Sequence, residues 1–251
     1  MIRLITFADD RFGRKDGKYR QTQKKLNEML SKHPDISSMC HYTDEDLVRT
    51  KWHEENAEFL SGGPSLTQSA GNAQKAYFIK HELENLPNGR FLLYHDTSPE
   101  VWQEDDYAQI SLQPHLEKCE ENAGILVGWW KSMVKWRHTH HRVTSPVCLR
   151  LMEAEQFASE LQWCTSWILF KNSPYIRELV DEWFKYNCIP DCASYIRNKE
   201  ADKKENSDFY ENRGDQSILT LIMLKRDHTA VLETQNKNVF SIIDPVRYDS
   251  K

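Results

Sequence analysis

The sequence predicts an α/β fold in which helices flank a mixed central sheet. Two observations lead to this prediction: short apolar runs such as Ile2–Ala8 and Arg90–His95 are typical of buried strands, and helical patterns lie between such runs. The chain has 251 residues, of which 39% are hydrophobic, so it is long enough to bury a sizeable core. We therefore expect one domain over residues 1–251, with a first half over 1–113 and a second half over 114–251.

Strands and helices alternate through the first half of the chain. The segments predicted there are strands at Ile2–Ala8, Ser37–Tyr42 and Arg90–His95, and helices at Tyr19–Ser31 and Gln74–Leu86. Thr43 and Asp46 occupy the N-cap and N3 positions of a further short helix. Small polar residues predict a loop over Ser61–Asn72, close to the functional face of the sheet.

The clearest helix of the second half begins after Ser173. Ser173 is a good N-cap, and Pro174 fits the first helical position because its missing N–H would have no partner there. Apolar residues then recur at helical spacing, which predicts a stripe that lies on a sheet: Ile176, Leu179, Val180, Trp183 and Phe184. Another helix begins at Asp215 and is apolar nearly all round, so we expect it to be buried.

The remaining predictions for the second half are shorter or weaker. They are strands at Ile125–Trp130, Leu161–Phe170, Thr229–Leu232 and Val239–Ile243, a short helix near His115–Glu121, and a mobile charged loop over Asp191–Ser207.

Composition excludes several classes of protein. A formal net charge of -5 argues against a general nucleic-acid binder, and no apolar run approaches the length of a membrane span. The six cysteines show no metal-type spacing, so we expect reduced thiols and a cytoplasmic protein.

One acid directly follows a predicted buried strand. Asp96 comes after Arg90–His95, and Thr97, Ser98 and Pro99 then turn the chain away. Ligands of open α/β sheets collect beyond the carboxyl ends of strands, and a carboxylate there is costly to desolvate unless it meets a cation or a donor. Asp96 is therefore a candidate site residue, and the alternative is an acid that caps the next turn.

A second candidate acid, Asp215, stands at the start of the predicted buried helix. One interpretation makes it the N-cap of that helix, and the other makes it a partly buried carboxylate that serves as a base. His138, His140 and His141 lack partners at metal-ligand spacing, so we expect solvated loop histidines. The acidic run Glu104–Asp106 is expected to be a solvated surface.

Four stretches, in this order, carry a resemblance to a known family. They are Leu4–Asp9, Gln74–Ile79, Leu93–Ser98, and Trp167–Trp183 followed by Asn212-Arg213-Gly214-Asp215-Gln216-Ser217. The chain resembles small glycosyltransferases of the GT-A fold that use nucleotide sugars, of the type seen in polysaccharide synthesis clusters and in some large DNA viruses. The stretches are similar to that family's first strand, its Trp-Lys-Pro-Tyr helix start, its Leu-Tyr-x-Asp segment, and its closing strand, helix and Arg-x-Asp-Gln-Ser signature.

This resemblance implies a chemical role for each candidate residue. The first half would bind the nucleotide of a UDP- or GDP-linked donor sugar, and the second half would bind a glycan acceptor and carry out catalysis. The donor-binding residues it implies are Thr6, Phe7, Ala8, Lys75, Tyr94, Asp96 and Arg213. Asp96 would hold Mn²⁺ or Mg²⁺, and Asp215 would be the catalytic base. Three tryptophans would offer acceptor platforms, with core packing as the alternative for the last: Trp129, Trp130 and Trp163.

One departure from the family pattern leaves an alternative function open. Ser98 stands where a second metal-binding aspartate is often found, so metal ligation would rest on Asp96 alone. The alternative is a catalytically inactive nucleotide- or glycan-binding protein on the same fold. A nucleotidyltransferase is disfavoured, because Ala8–Gly13 supplies no Gly-rich triphosphate loop.

Overall fold

A mixed sheet of six strands runs through the part of the chain that the computed structural model describes, residues 1–9, 17–57, 60, 73–99, 109–130, 137–193, 199–228, 231–234 and 238–240. The strands are β1 Ile2–Ala8, β2 Ile36–Thr43, β3 Phe91–Asp96, β4 Ile125–Trp130, β5 Cys164–Lys171 and β6 Val231–Thr234. Their order across the sheet is β2-β1-β3-β5-β4-β6. β1 pairs in parallel with β2 and β3, β5 is antiparallel to both β3 and β4, and β6 is parallel to β4. The predicted α/β class with a mixed sheet is confirmed, and both predicted halves contribute strands to this sheet.

Helices cover both faces of the sheet. In the described part of the chain they are α1 Lys18–Leu30, α2 Asp44–Val48, α3 Lys51–Glu55, α4 Ala73–Asn85, α5 Gln113–Glu121, α6 His140–Val143, α7 Pro146–Leu151, α8 Pro174–Asn187, α9 Pro190–Ala193, α10 Lys199–Glu205 and α11 Gly214–Lys225. A short 3₁₀ helix spans Glu155–Phe157.

The helix starts follow the predicted local chemistry. The Asp46 carboxylate accepts from the backbone N–H of Thr43 at 2.8 Å, which is the reciprocal half of a capping box at α2. At α8 the Ser173 hydroxyl accepts from the N–H of Ile176 at 3.2 Å, and proline follows at the first helical position.

The two faces of the sheet carry separate hydrophobic clusters, because successive residues of a strand point to opposite sides. On the first face, called the α4 face below, Leu92 and Tyr94 of β3 belong to the cluster that includes residues of α4, α8 and α11. On the second, the α1 face, Phe91 and Leu93 join residues of α1 and α5 together with Phe240.

Two predicted elements are wrong where the structure describes them. The charged stretch predicted as a mobile loop over Asp191–Ser207 contains α9 and α10. One charged residue of α10, Asp202, is buried and accepts a hydrogen bond from the Ser145 hydroxyl at 3.0 Å, which anchors this helix to the rest of the protein. Val239 and Phe240 form a turn rather than the start of a strand, and residues 241–243 of that prediction lie outside the described residues.

Several other predictions fall outside the described residues. These are the loop Ser61–Asn72, the acidic run Glu104–Asp106 and residues 229–230 of the last predicted strands. All six cysteines are free, as predicted. Among the described helices, none is both long and apolar enough to cross a membrane.

Candidate functional site

The edge of the sheet where β3 ends brings together the candidate residues of four distant segments. β1 and β3 are parallel, so they end side by side, with Phe7 opposite Asp96. β5 runs antiparallel to β3, so the start of β5, which carries Thr165, reaches the same edge. The first turn of α4 adds Lys75 and the first turn of α11 adds Asp215, both on the α4 face.

The ammonium group of Lys75 is the centre of this cluster. Its Nζ lies 2.9 Å from Oδ2 of Asp215 and 3.4 Å from Oδ1 of Asp96, and it donates to the backbone carbonyl of Thr165 at 3.0 Å. Only 5% of the Lys75 side chain is exposed. Burial alone lowers the pKa of Lys75, but attraction to Asp215 and then to Asp96 outweighs it and raises the pKa above its ordinary value. Lys75 is therefore a buried permanent cation.

Asp215 is held in place by contacts on both its side chain and its backbone. Its side chain is 3% exposed, and its Oδ2 accepts from Lys75 and, at 3.5 Å, from the Thr165 hydroxyl. Its backbone carbonyl accepts from the indole N–H of Trp183 at 2.9 Å, which fixes the start of α11 against α8.

The interpretation of Asp215 as the N-cap of its helix is wrong. α11 begins at Gly214 with Arg213 as N-cap, and that N-cap makes no side-chain capping bond. Asp215 is the second helical residue, where a carboxylate is favoured by the helix dipole. Its side chain pairs with Lys75 instead of capping, because the buried ammonium offers a stronger partner than a backbone N–H.

Gly214 explains how α11 comes so close to its neighbours. A Cβ at this position would collide with the backbone carbonyl of Ala193 at the end of α9. Asn212 supports the same contact, because its side-chain amide donates to the carbonyl of Cys192 at 2.7 Å and its Oδ1 accepts from the N–H of Ser145 at 3.1 Å. Glycine is thus required here by close backbone approach.

Asp96 is the part of the cluster that solvent reaches. Its side chain is 32% exposed, and its Oδ1 accepts from the Tyr94 phenol at 2.9 Å. The Lys75 ammonium also lies over the Tyr94 ring, 5.0 Å from its centroid. Burial, together with the Asp96 charge, raises the pKa of Tyr94 well above its ordinary value, so its phenol stays a proton donor to Asp96. The Tyr94 phenol thereby fixes Oδ1 of Asp96, while part of the Asp96 side chain remains accessible to solvent.

The predicted first-strand residues lie beside this cluster but are mainly packed inside the protein. Phe7 stacks on Phe78, with ring centroids 5.5 Å apart, and Ala8 is buried. The Thr6 hydroxyl is 2.8 Å from Nδ1 of His41 and accepts from the Gln23 amide at 3.0 Å. Their contact with a nucleotide stays a prediction.

Arg213 and the tryptophans are not joined to the cluster by the contacts described. Arg213 pairs through Nε with Glu211 at 2.6 Å. Trp163 belongs to the hydrophobic core, as the alternative for this residue proposed, and Trp129 is partly buried against the same core. The side chain of Trp130 lies outside the described residues. An acceptor platform at these positions stays a prediction.

Sequence reasoning missed Thr165 and a neighbouring amide network. The buried Gln162 accepts from the Gln216 amide at 2.5 Å and donates to the Ser217 hydroxyl, which ties the approach to β5 to the first turn of α11. The available signal was the presence of polar residues beside and within an otherwise apolar strand, which is costly unless each is hydrogen-bonded.

The prediction of three solvated histidines near residue 140 is wrong for two of them. His138 and His140 are buried, and His141 is exposed. The ring of His140 pairs through Nδ1 with the Thr144 hydroxyl at 2.9 Å, and burial lowers its pKa to about 3. A neutral buried imidazole with a local hydroxyl partner is a structural element.

The donor atoms present fit a divalent cation in one way only. Within the described residues there is no group of three or more His, Cys, Asp and Glu side chains that could hold a metal ion. The partly exposed Asp96 carboxylate, which also pairs with Lys75 and accepts from Tyr94, has an oxygen of the kind that Mg²⁺ and Mn²⁺ prefer. A cation at Asp96 would have to take its other ligands from a bound phosphate and from water.

Comparisons with known proteins leave the family open: no protein-family model matches the chain, and no curated protein matches it.

Proposed function

We propose that this protein is a glycosyltransferase that moves a sugar from a UDP- or GDP-linked donor to a hydroxyl group of a glycan. One observation carries the proposal: the buried Lys75 ammonium joins the candidate acids Asp96 and Asp215 at the edge of the sheet where ligands of α/β proteins bind. The order of the four family-like sequence stretches supports the same function.

The burial of ionisable groups in this cluster favours a functional role over a structural one. A buried ion pair is weak support for stability, because removing charges from water costs about as much as the pair regains. Here the Lys75 ammonium lies between the carboxylates of Asp96 and Asp215, and all three groups are ionisable. Charged groups arranged in this way are typical of functional sites, where they face a charged ligand.

The chemistry of sugar transfer needs positive charge where this cluster supplies it. As the bond between the sugar carbon and the phosphate oxygen breaks, its electron pair leaves with the nucleoside diphosphate. The Lys75 ammonium is oriented by Asp215 and the Thr165 carbonyl, so it would meet that growing negative charge without reorganisation. Mn²⁺ or Mg²⁺ bound at Asp96 would supply further stabilisation of the same charge.

The acceptor hydroxyl loses its proton as its oxygen bonds to the sugar carbon. We propose Asp215 as the carboxylate that takes this proton, since it lies at the cluster and its orientation is fixed by Lys75 and Thr165. Arg213 and the strand residues Thr6, Phe7 and Ala8 remain proposed donor contacts, and the free thiols support a proposed cytoplasmic location.

A second candidate is a nucleotide- or glycan-binding protein that lacks catalysis. It is favoured by the 3% exposure of the Asp215 side chain, because a base must reach the hydroxyl that it deprotonates. In that case the same cluster would hold a diphosphate and release it unchanged.

A thermal-shift screen of UDP- and GDP-sugars, each with and without Mn²⁺, tests the proposal. We expect one donor to raise the melting temperature, and more so with Mn²⁺, because a ligand that binds only the folded state stabilises it. Slow release of the free sugar from that donor then identifies an enzyme, whereas binding without hydrolysis or transfer identifies the binding protein. No shift with any nucleotide sugar would contradict both the glycosyltransferase and the nucleotide-binding protein.

A Lys75→Arg variant is the sharpest companion to this screen. Arginine keeps the charge but not the compact ammonium, so we expect the fold to persist while turnover falls. Lys80→Arg is a matched control in the same helix, since Lys80 pairs with the exposed Glu84 and Asp181. Unchanged kinetics in Lys75→Arg would place Lys75 outside the site.

A further inference from the structure

Three buried histidines surround a short segment on the α1 face, directly behind Asp96. The segment is residues 238–240, all of them buried. His95 accepts from the backbone N–H of Val239 at 3.2 Å, and His115 donates from Nε2 to the backbone carbonyl of Val239 at 2.9 Å. The ring of His33 lies against that of Phe240, with centroids 5.5 Å apart. The segment is thus held by both its backbone and its side chains.

His95 joins this segment to the candidate site. Its Nδ1 lies 2.9 Å from the backbone carbonyl oxygen of Asp96, which can only accept, so Nδ1 carries the proton. Its Nε2 is then the acceptor, which is the role that the N–H of Val239 requires. Two contacts therefore indicate the same neutral tautomer, and the ring links residues 238–240 to Asp96, with the Asn238 side chain as a further hydrogen-bond partner.

The side chains of β3 alternate between the two faces of the sheet, so Asp96 is held from both faces. Tyr94 and His95 are consecutive, so their side chains lie on opposite faces of the sheet. Tyr94 holds the carboxylate of Asp96 on the α4 face, and His95 holds the backbone carbonyl of the same residue from the α1 face. The Thr97 hydroxyl donates to the carbonyl of Phe7 at 2.9 Å and secures the next residue.

We propose that His95 is a positioning residue that couples the docking of residues 238–240 to the placement of Asp96. Its importance for nucleotide binding rests on the proposed function, while the coupling itself does not. Residues 238–240 are thereby part of the scaffold of the site, although Val239 is 144 positions away from His95 along the chain.

Two pairs of variants separate coupling from simple packing. His95→Gln can keep the hydrogen bond with Val239, through its amide oxygen, while it loses the bond to Asp96, whereas His95→Phe fills the same space without either hydrogen bond. Val239→Pro removes the N–H that His95 accepts, and Val239→Ala keeps it while removing a similar amount of apolar side chain.

The primary measurement is hydrogen exchange of the peptide over residues 91–99 in the full chain, with a melting curve for each variant. In Val239→Pro and in His95→Phe we expect exchange near Asp96 and Thr97 to become about tenfold faster, the size expected from one lost buried hydrogen bond, while Val239→Ala and His95→Gln stay closer to wild type. The double variant His95→Phe/Val239→Pro is expected to exchange no faster than His95→Phe, because that single variant already removes the ring through which Val239 acts.

Equal exchange in Val239→Pro and Val239→Ala would overturn the coupling, as would full additivity in the double variant. If Val239→Pro does not fold, the His95→Phe and His95→Gln pair decides alone. A calorimetric titration with UDP and GDP in the presence of Mg²⁺ adds the link to function: we expect weaker binding in His95→Phe than in His95→Gln. Normal binding in His95→Phe would overturn the positioning role, and no binding by the wild type would instead refute the proposed function while the exchange data still decide the coupling.

Discussion

At the end of β3, the ionisable groups are charged on the α4 face of the sheet and neutral on the α1 face. On the α4 face, Lys75, Asp96 and Asp215 form a charged cluster in which each group has an opposite charge nearby. On the α1 face, His95 and His115 are buried as neutral rings that bond to backbone groups. Burial disfavours the charged form of each group, and only on the α4 face do opposite charges offset that effect. One face is therefore suited to bind charge and the other to hold the backbone still.

The largest expected effect comes from Asp215, the carboxylate of the α4 face that we propose as the catalytic base. Asp215→Asn should lower the rate of transfer about 10²–10⁴-fold, the range typical for loss of a general base. The rate is measured with the donor identified by the screen. Asp181→Asn is the control, since Asp181 is exposed and pairs only at the surface with Lys80. Transfer at close to the wild-type rate in Asp215→Asn would leave that carboxylate with the single role of orienting Lys75.

Removing the cation of the charged face should destabilise the fold. Lys75→Met leaves the Asp215 carboxylate buried opposite an apolar chain, which costs about 3–5 kcal/mol in the free energy of unfolding. Urea denaturation measures this loss. The matched control Lys80→Met breaks exposed pairs in the same helix and should cost less than about 1 kcal/mol.

A double variant shows whether Lys75→Met is destabilising because it leaves the Asp215 charge unpaired or because it changes side-chain packing. In Lys75→Met/Asp215→Leu both charges are gone, so much of the stability should return. If the double variant is as unstable as Lys75→Met and Asp215→Leu combined, the two side chains do not interact as the structure implies.

The buried neutral histidines of the α1 face should make the stability of the protein sensitive to acid. Burial lowers the pKa of His95 to about 3 and that of His115 to about 4, from an ordinary value of 6.5. The unfolded chain then binds protons that the folded chain resists, so the stability that these rings contribute is complete above about pH 6.5 and is lost as pH falls towards 4 and below. At pH 5 each ring should cost about 2 kcal/mol relative to pH 7.5.

The measurement is the free energy of unfolding in urea at pH 7.5 and at pH 5.0. In His115→Phe the loss between the two pH values should shrink, because one of the buried rings no longer titrates. His141→Ala is the control, since His141 is exposed and should leave the loss unchanged. An equal loss in wild type and His115→Phe would show that His115 is not a buried neutral ring.

The smallest effect concerns the hydrogen bond that joins Tyr94 to the charged cluster. Tyr94→Phe removes the donor to Asp96 and should cost about 0.5–1.5 kcal/mol of stability without changing the pH dependence above. Tyr210→Phe, at an exposed position, should be neutral in the same urea experiment. A loss well above this range would mean that the Tyr94 phenol stabilises other parts of the site in addition to Asp96.

Local patterns predicted the parts of the fold that depend on local chemistry. β1 was predicted with its observed bounds, and the helix after Ser173 follows from its N-cap, its proline and its apolar stripe. Asp96 and Asp215 became candidates through their positions in the sequence, and Lys75 and Tyr94 through the family resemblance. The structure brings the four residues together because β3 and two helix starts meet at one edge.

The predictions that are wrong depend on partners far away in the chain. His140 is buried next to an isolated antiparallel bridge between Thr139 and Leu161, a contact that no periodicity of the sequence predicts. The charged composition of α10 predicts a mobile loop, because the sequence does not show that Ser145 contacts Asp202. Asp215 fits the N-cap pattern in sequence, but Lys75, 140 positions away, takes its carboxylate.

We propose that the α4 face binds a nucleoside diphosphate together with a divalent cation at Asp96. Calorimetric titration of wild type and Asp96→Ala with UDP and GDP, each with and without Mn²⁺, tests this binding. We expect one nucleotide to bind the wild type more tightly with Mn²⁺, and Asp96→Ala to fold normally but lose this enhancement. The same Mn²⁺ enhancement in Asp96→Ala as in wild type would contradict the claim.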